Sequence, residues 1–287
     1  MSATSTVRSR LVGRAAAGIE TAITGPARPA RVLGCFPTAV YLELPDPGGV
    51  IAVVARDGIA LPNAVLLASL GAAARFSEWS GPWLVGDGRV VSGDRSVEVD
   101  SWYDARPVLA PAGAGELVRG LSELESALAE EGRSGASGVD VTALRAAIDS
   151  RDVPAVVAAA AALVGLGAGL TPSGDDVLAG AVSAGLAVCR HLEDRAGEAV
   201  FAAVGVAVAE LAVGRTTSLS AALLRHAADG EMAGPARRLV AAVSRRGAIR
   251  PALDALLQVG HASGGDLAQG IVIGVASALR ADEREHR

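Results

Sequence analysis

Aromatic residues stop abruptly along this chain. Seven of the eight lie between Phe36 and Tyr103, and Phe201 alone lies beyond them. The stretch that holds them alternates and turns as β-structure does, whereas the sequence after about residue 140 is alanine-rich and apolar with helical spacing. One chain therefore has to build two kinds of core. Residues 39–44 and 50–55 read as strands around the Pro-Asp-Pro-Gly-Gly turn at 45–49, the second closing at Asp57-Gly58. Residues 83–85 and 89–91 flank Gly86-Asp87-Gly88 as a hairpin, and 97–99 is a further short strand. A small antiparallel sheet or barrel over roughly 30–105 follows from these signals, with an opening helix within 8–24.

The expected fold class is α+β. A small N-terminal antiparallel β domain over 1–105 leads through a helix and flexible linker over 106–139 into a mostly buried α-helical bundle over 140–287. Residues 117–131 have helical spacing, and 132–138 form a Gly/Ser breaker. Further helices are expected at 140–149, 153–164, 172–191, 195–213, 218–228, 233–246, 250–258 and 264–281. Several are apolar on nearly all sides and belong in an interior.

Composition removes several function classes. Hydrophobic residues make up 51% and charged residues 20%, enough for a large core and too apolar for disorder. A net charge of −5 argues against nucleic-acid binding. All 26 basic residues are arginine, so lysine Schiff bases, pyridoxal-phosphate attachment and a Walker A loop are excluded for this chain acting alone. Cys35 and Cys189 stand apart with no zinc spacing and read as buried thiols. The polar N-terminus lacks a signal-peptide apolar stretch. The longest uncharged run, 153–174, carries Pro154, Pro172 and four glycines, and reads as a buried helix entering a loop rather than a membrane span. A soluble cytoplasmic protein is expected.

Chemistry concentrates in Gly165-Leu-Gly-Ala-Gly-Leu-Thr-Pro-Ser-Gly-Asp-Asp-Val-Leu-Ala-Gly180. Gly165, Gly167 and Gly169 at alternate positions permit a tight turn and close approach. Thr171 before Pro172 reads as a capped helix start, whose free N–H groups favour an anion or polar ligand. Thr171, Ser173 and Gly174 are thus candidate binding residues beside Gly167 and Gly169, with Asp175 and Asp176 as candidate catalytic acids. Capping alone would account for Ser173-x-x-Asp176 as a capping box, but not for the glycines or the second acid. Two carboxylates repel a phosphate. A bound phosphate therefore needs a divalent cation such as Mg2+ on Asp175 and Asp176, or arginines such as Arg215 close by; the other solution is a ligand that brings N–H groups.

The pattern Ser-Gly-x-Asp-x-x-x-Gly occurs twice, at 173–180 and again at 263–270. Two similar helix starts could share one pocket across a pseudo-symmetric bundle, or common capping residues could coincide; both readings stay open on the sequence. The first makes Ser263 and Asp266 binding residues. Between the copies, Arg215, Thr216 and Thr217 offer a guanidinium and hydroxyls for a carboxylate or phosphate, or Thr217 merely caps the next helix. His261 is a candidate general acid or base, or an ordinary loop histidine.

These segments together resemble the AllH family, associated with oxamate carbamoyltransferase in ureide breakdown. The carrying residues are Gly165 to Asp176 with Gly180, then Thr216-Thr217, Ser220, Leu223-Leu224, Ala227 and Gly230, then Gly260-His261-x-Ser263-Gly264-x-Asp266. Residues 58–62, Gly-Ile-Ala-Leu-Pro, also look similar. The resemblance implies one subunit of a multi-protein carbamoyltransferase exchanging a carbamoyl group between a ureide such as oxalurate and phosphate. The partners so implied are a small anionic or ureido substrate and the other subunits, with further copies of this chain also admitted. A non-catalytic subunit that binds a small acid is the alternative.

Overall fold

The structure, a computed structural model, describes residues 9–45, 49–69, 74–132, 139–245 and 247–285. The glycine-serine breaker at 133–138 and the tip of the 45–49 turn lie outside the described residues. The chain divides into two compact units, one ending at Ala105 and one beginning at Arg106.

The first unit corrects the expected fold class. It is not a small antiparallel domain but a closed barrel of eight strands: β1 (Ser9–Ala16), β2 (Arg28–Phe36), β3 (Ala39–Glu43), β4 (Val50–Val54), β5 (Ala64–Leu67), β6 (Trp83–Gly86), β7 (Arg89–Ser92) and β8 (Arg95–Tyr103). Their order around the barrel is β1-β5-β4-β3-β2-β6-β7-β8. Two of the pairings are parallel, β1 with β8 and β4 with β5. The parallel β1–β8 seam closes the sheet, so no edge is left open.

The helix expected within 8–24 is mostly strand β1. Its inward positions carry Leu11, Gly13 and Ala15, and the last two are too small to show a period of two against the helix-forming arginines and alanines around them. Gly13 is required there, since a Cβ would come 2.8 Å from the Leu66 carbonyl oxygen. Only Glu20–Thr24 (α1) is α-helical in this stretch. Strand β4 is buried throughout, because apolar side chains pack against each of its faces. Leu42, Ile51 and Val53 fill the barrel interior, whereas Ala52, Val54, Ala64 and Leu66 form a second apolar layer. Trp79 and Trp83 stack with ring centroids 5.5 Å apart inside the same core.

The second unit contains α2 (Ala114–Glu130), α3 (Thr142–Ser150), α4 (Val153–Leu163), α5 (Ser173–His191), α6 (Arg195–Ala212), α7 (Ser218–Ala228), α8 (Gly234–Ala242), α9 (Ile249–Leu257) and α10 (Ser263–Glu285). Leu117, Leu124 and Leu128 of α2 join the same core as α5 and α10. No described helix is long and apolar enough to cross a membrane.

Helices α5 and α10 lie side by side in the same direction, and glycines set their separation. A Cβ on Gly180 would meet the Leu267 carbonyl oxygen at 2.5 Å, and one on Gly270 would meet that of Val177 at 2.1 Å. Backbone cannot yield as a side chain can. Gly270→Ala should therefore cost about 3 kcal/mol, the upper range for overpacking a core. Urea unfolding at constant m-value measures it, and an unchanged midpoint would contradict this packing.

Candidate functional site

The two Ser-Gly-x-Asp segments are structurally equivalent. The N–H of Gly174 bonds the Leu166 carbonyl at 2.9 Å, and that of Gly264 bonds Val259 at 3.0 Å. Leu166 in turn donates to Leu163, and Val259 to Leu256, each at 2.9 Å. A Cβ on Gly174 would strike the Leu163 carbonyl oxygen at 2.1 Å, and one on Gly264 that of Leu256 at 2.0 Å. Gly167 and Gly260 both have positive φ, 120° and 59°, and both sit against the serine that opens the following helix. Helix–turn–helix α4–α5 and helix–turn–helix α9–α10 are therefore internal repeats. The first has a longer turn, which contains Gly169 and Leu170.

This equivalence pairs Asp176 with Asp266 and leaves Gly265 opposite Asp175. The two acids of the Asp-Asp sequence accordingly have different surroundings. Asp175 is 1% exposed and fully engaged. Its Oδ1 accepts the Gly165 N–H at 2.8 Å, and its Oδ2 accepts the Ser220 hydroxyl at 2.7 Å and the Thr216 hydroxyl. It ties the glycine-rich turn to the start of α7.

Asp176 and Asp266 have no such set of donors. Asp266 is 0% exposed and neither of its carboxylate oxygens has a hydrogen-bond partner; Asp176 is 6% exposed and its Oδ2 has none. Burial pushes the Asp176 carboxyl up to about 8, and the Asp266 and Asp175 carboxylates add to that rise. The hydroxyls of Ser263 and Thr171 oppose it. These two hydroxyls lie 3.0 Å apart and link the two helix starts.

The capping expected here is not what forms. Pro172, rather than Thr171, occupies the N-cap of α5, and no side chain caps it. Ser173 and Asp176 thus make no capping box, which leaves Asp176 for another use. Thr217 does cap α7, accepting the Ser220 N–H at 3.0 Å, and donates to the Leu170 carbonyl at 2.5 Å. Arg215 donates to the Ala161 carbonyl at 2.6 Å. His261 is exposed on the turn before α10. Cys189 is buried as expected, whereas Cys35 is exposed.

The structure thus gathers Thr171, Asp176, Ser263 and Asp266 at one place and Asp175, Thr216 and Ser220 at an adjoining anchor. Ser220 escaped the sequence reading as a partner of Asp175; its position three residues after Thr217 was the available signal. Among the described residues, no three His, Cys, Asp or Glu side chains gather as a metal cage. Cavities of about 300 and 260 Å³ open beside Arg119 and Arg245 and beside Arg145 and Gln269, and neither is lined by Asp176 or Asp266.

Residues 163–275 match the family model described as oxamate carbamoyltransferase subunit AllH. The resemblance read from the sequence holds over this segment, which contains both repeated helix starts and the α7 anchor. No solved structure matches the chain.

Proposed function

We propose that this chain is a subunit of a carbamoyltransferase acting on ureide- or oxamate-type small acids, with the facing starts of α5 and α10 as its ligand-binding centre. The observation that carries the proposal is the pair Asp176 and Asp266, buried with three carboxylate oxygens unpartnered inside the family-matched segment. Acceptors left without donors in an interior cost free energy and persist where a ligand supplies what the chain does not.

The reaction this reading assigns moves a carbamoyl group from a ureide nitrogen to phosphate. A phosphate oxygen attacks the carbamoyl carbon, the C–N bond breaks, and the departing amide nitrogen takes up a proton. The chain's own part is to hold and orient the reactants. Gly167 and Gly169 let the backbone of the α5 turn come close to a ligand. Asp175 keeps that turn and Thr216 in place as a positioning residue. Thr171 and Ser263 add hydroxyls on the two sides of the repeat. The family description names a subunit, so the assembled complex is the form to assay.

Asp176→Asn and Asp266→Asn, each in the reconstituted complex, should lower carbamoyl transfer between carbamoyl phosphate and oxamate by about 100-fold or more, the scale of losing one preorganised group. Full turnover in both variants would overturn the assignment. Assembly of the complex with loss of turnover distinguishes a reacting centre from a scaffold.

A further inference from the structure

We propose that Asp176 and Asp266 together bind one hard divalent cation of the Mg2+ class, on the local axis that relates the two helix starts. This deepens the reading of the same centre and rests on it.

Three observations lead there. The repeat brings one carboxylate from each copy to the same place, and the unpartnered oxygens come from both sides. A single central charge serves both halves at once. The side chains brought together there offer oxygen donors: two carboxylates and the hydroxyls of Thr171 and Ser263. Oxygen ligands select hard cations, not zinc or copper. Finally, two carboxylates are the number Mg2+ uses when it keeps waters and takes a substrate phosphate, whereas Ca2+ asks for a fuller protein cage. No lysine exists in the chain to neutralise the pair, and Arg215 already donates to a backbone carbonyl. The cation also resolves the electrostatic conflict of the proposed reaction, because it lets a phosphate approach two acids.

The test uses the full chain stripped with EDTA and titrated with Mn2+, read by electron paramagnetic resonance. One Mn2+ per chain should bind and be displaced by Mg2+. Asp176→Asn and Asp266→Asn should each weaken it by about 100-fold or more, while Asp254→Asn, at an exposed position of α9, leaves it unchanged. Thr171→Val and Ser263→Ala provide milder variants and should weaken it several-fold should either Asn variant fail to fold. Absence of stoichiometric Mn2+ in the unaltered chain overturns the proposal, as does binding indifferent to all four substitutions. Carbamoyl transfer is a separate readout. Stoichiometric Mn2+ without transfer by the complex removes the transferase reading alone. Asn-sensitive transfer by a chain that takes no Mn2+ removes the cation alone.

Discussion

Asp175→Ala should lower the stability of the helical unit by about 4 kcal/mol, the scale of leaving several buried donors without their acceptor. The substitution strands three donors at once: the Gly165 N–H and the hydroxyls of Thr216 and Ser220. Each unsatisfied buried donor costs roughly 1–3 kcal/mol. The glycine-rich turn would also lose its tie to α7, which Thr217 and Leu170 hold from the other side. A thermal midpoint about 10 °C lower is the expected readout for a unit of this size. A midpoint within a degree of the unaltered chain would mean that Asp175 is not the anchor. The neighbouring substitution has the opposite sign. Asp176→Asn removes a carboxyl that the fold disfavours in its charged form, and should stabilise the metal-free chain at neutral pH.

The metal-free chain should also lose stability as pH rises from 5 to 8. The Asp176 carboxyl moves from an ordinary value of 3.8 to about 8 on folding. Below 3.8 both states are protonated and this group contributes nothing. Between the two values the unfolded chain has released the proton while the folded chain keeps it. The folded state then binds more protons, so stability falls with rising pH and levels off above about 8. Integrated from pH 5 to 8, this one group accounts for about 3–4 kcal/mol. The groups that act on it are the Ser263 and Thr171 hydroxyls, the Asp266 carboxylate and, through its charge, the neighbouring Asp175. Urea titrations of the EDTA-treated chain at several pH values measure the slope. Asp176→Asn should flatten it by that amount, and an equal slope in both proteins would refute the buried, protonated Asp176.

Much of the helical unit was legible because its signals are local. Asp194 and Thr217 cap α6 and α7 by accepting Gly197 and Ser220 N–H groups, and helices begin where those residue types stand. The barrel was half legible. Strands β3, β6 and β7 alternate, β4 is a short apolar run, sharp turns bound them, and β6–β7 pair around the expected Asp-Gly turn. Strand β1 carries Gly13 and Ala15 where a pattern needs bulk. Its partners β5 and β8 lie far along the chain, so neither the barrel's closure nor its parallel seam leaves a mark within any window of sequence.

The candidate centre divides in the same way. The repeated Ser-Gly-x-Asp already aligned Asp176 with Asp266 and left Asp175 unmatched. Adjacency nevertheless favoured the pair Asp175 and Asp176, because neighbours in sequence look like neighbours in space. On a helix, consecutive side chains diverge by about 100°. The two acids face different ways, Asp175 into the α7 anchor and Asp176 towards the second repeat.

By itself the amino-acid sequence determined where helices start, which turns need glycine, and that one motif occurs twice. Those are properties of a few consecutive residues, governed by backbone sterics and local hydrogen bonding. Only the tertiary structure decided that the strands close into a barrel and that Asp176 comes within the electrostatic reach of Asp266 while Asp175 is consumed by its own chain. Burial and hydrogen-bond satisfaction depend on groups brought from tens of residues away, and no local pattern records which of two adjacent carboxylates will find donors.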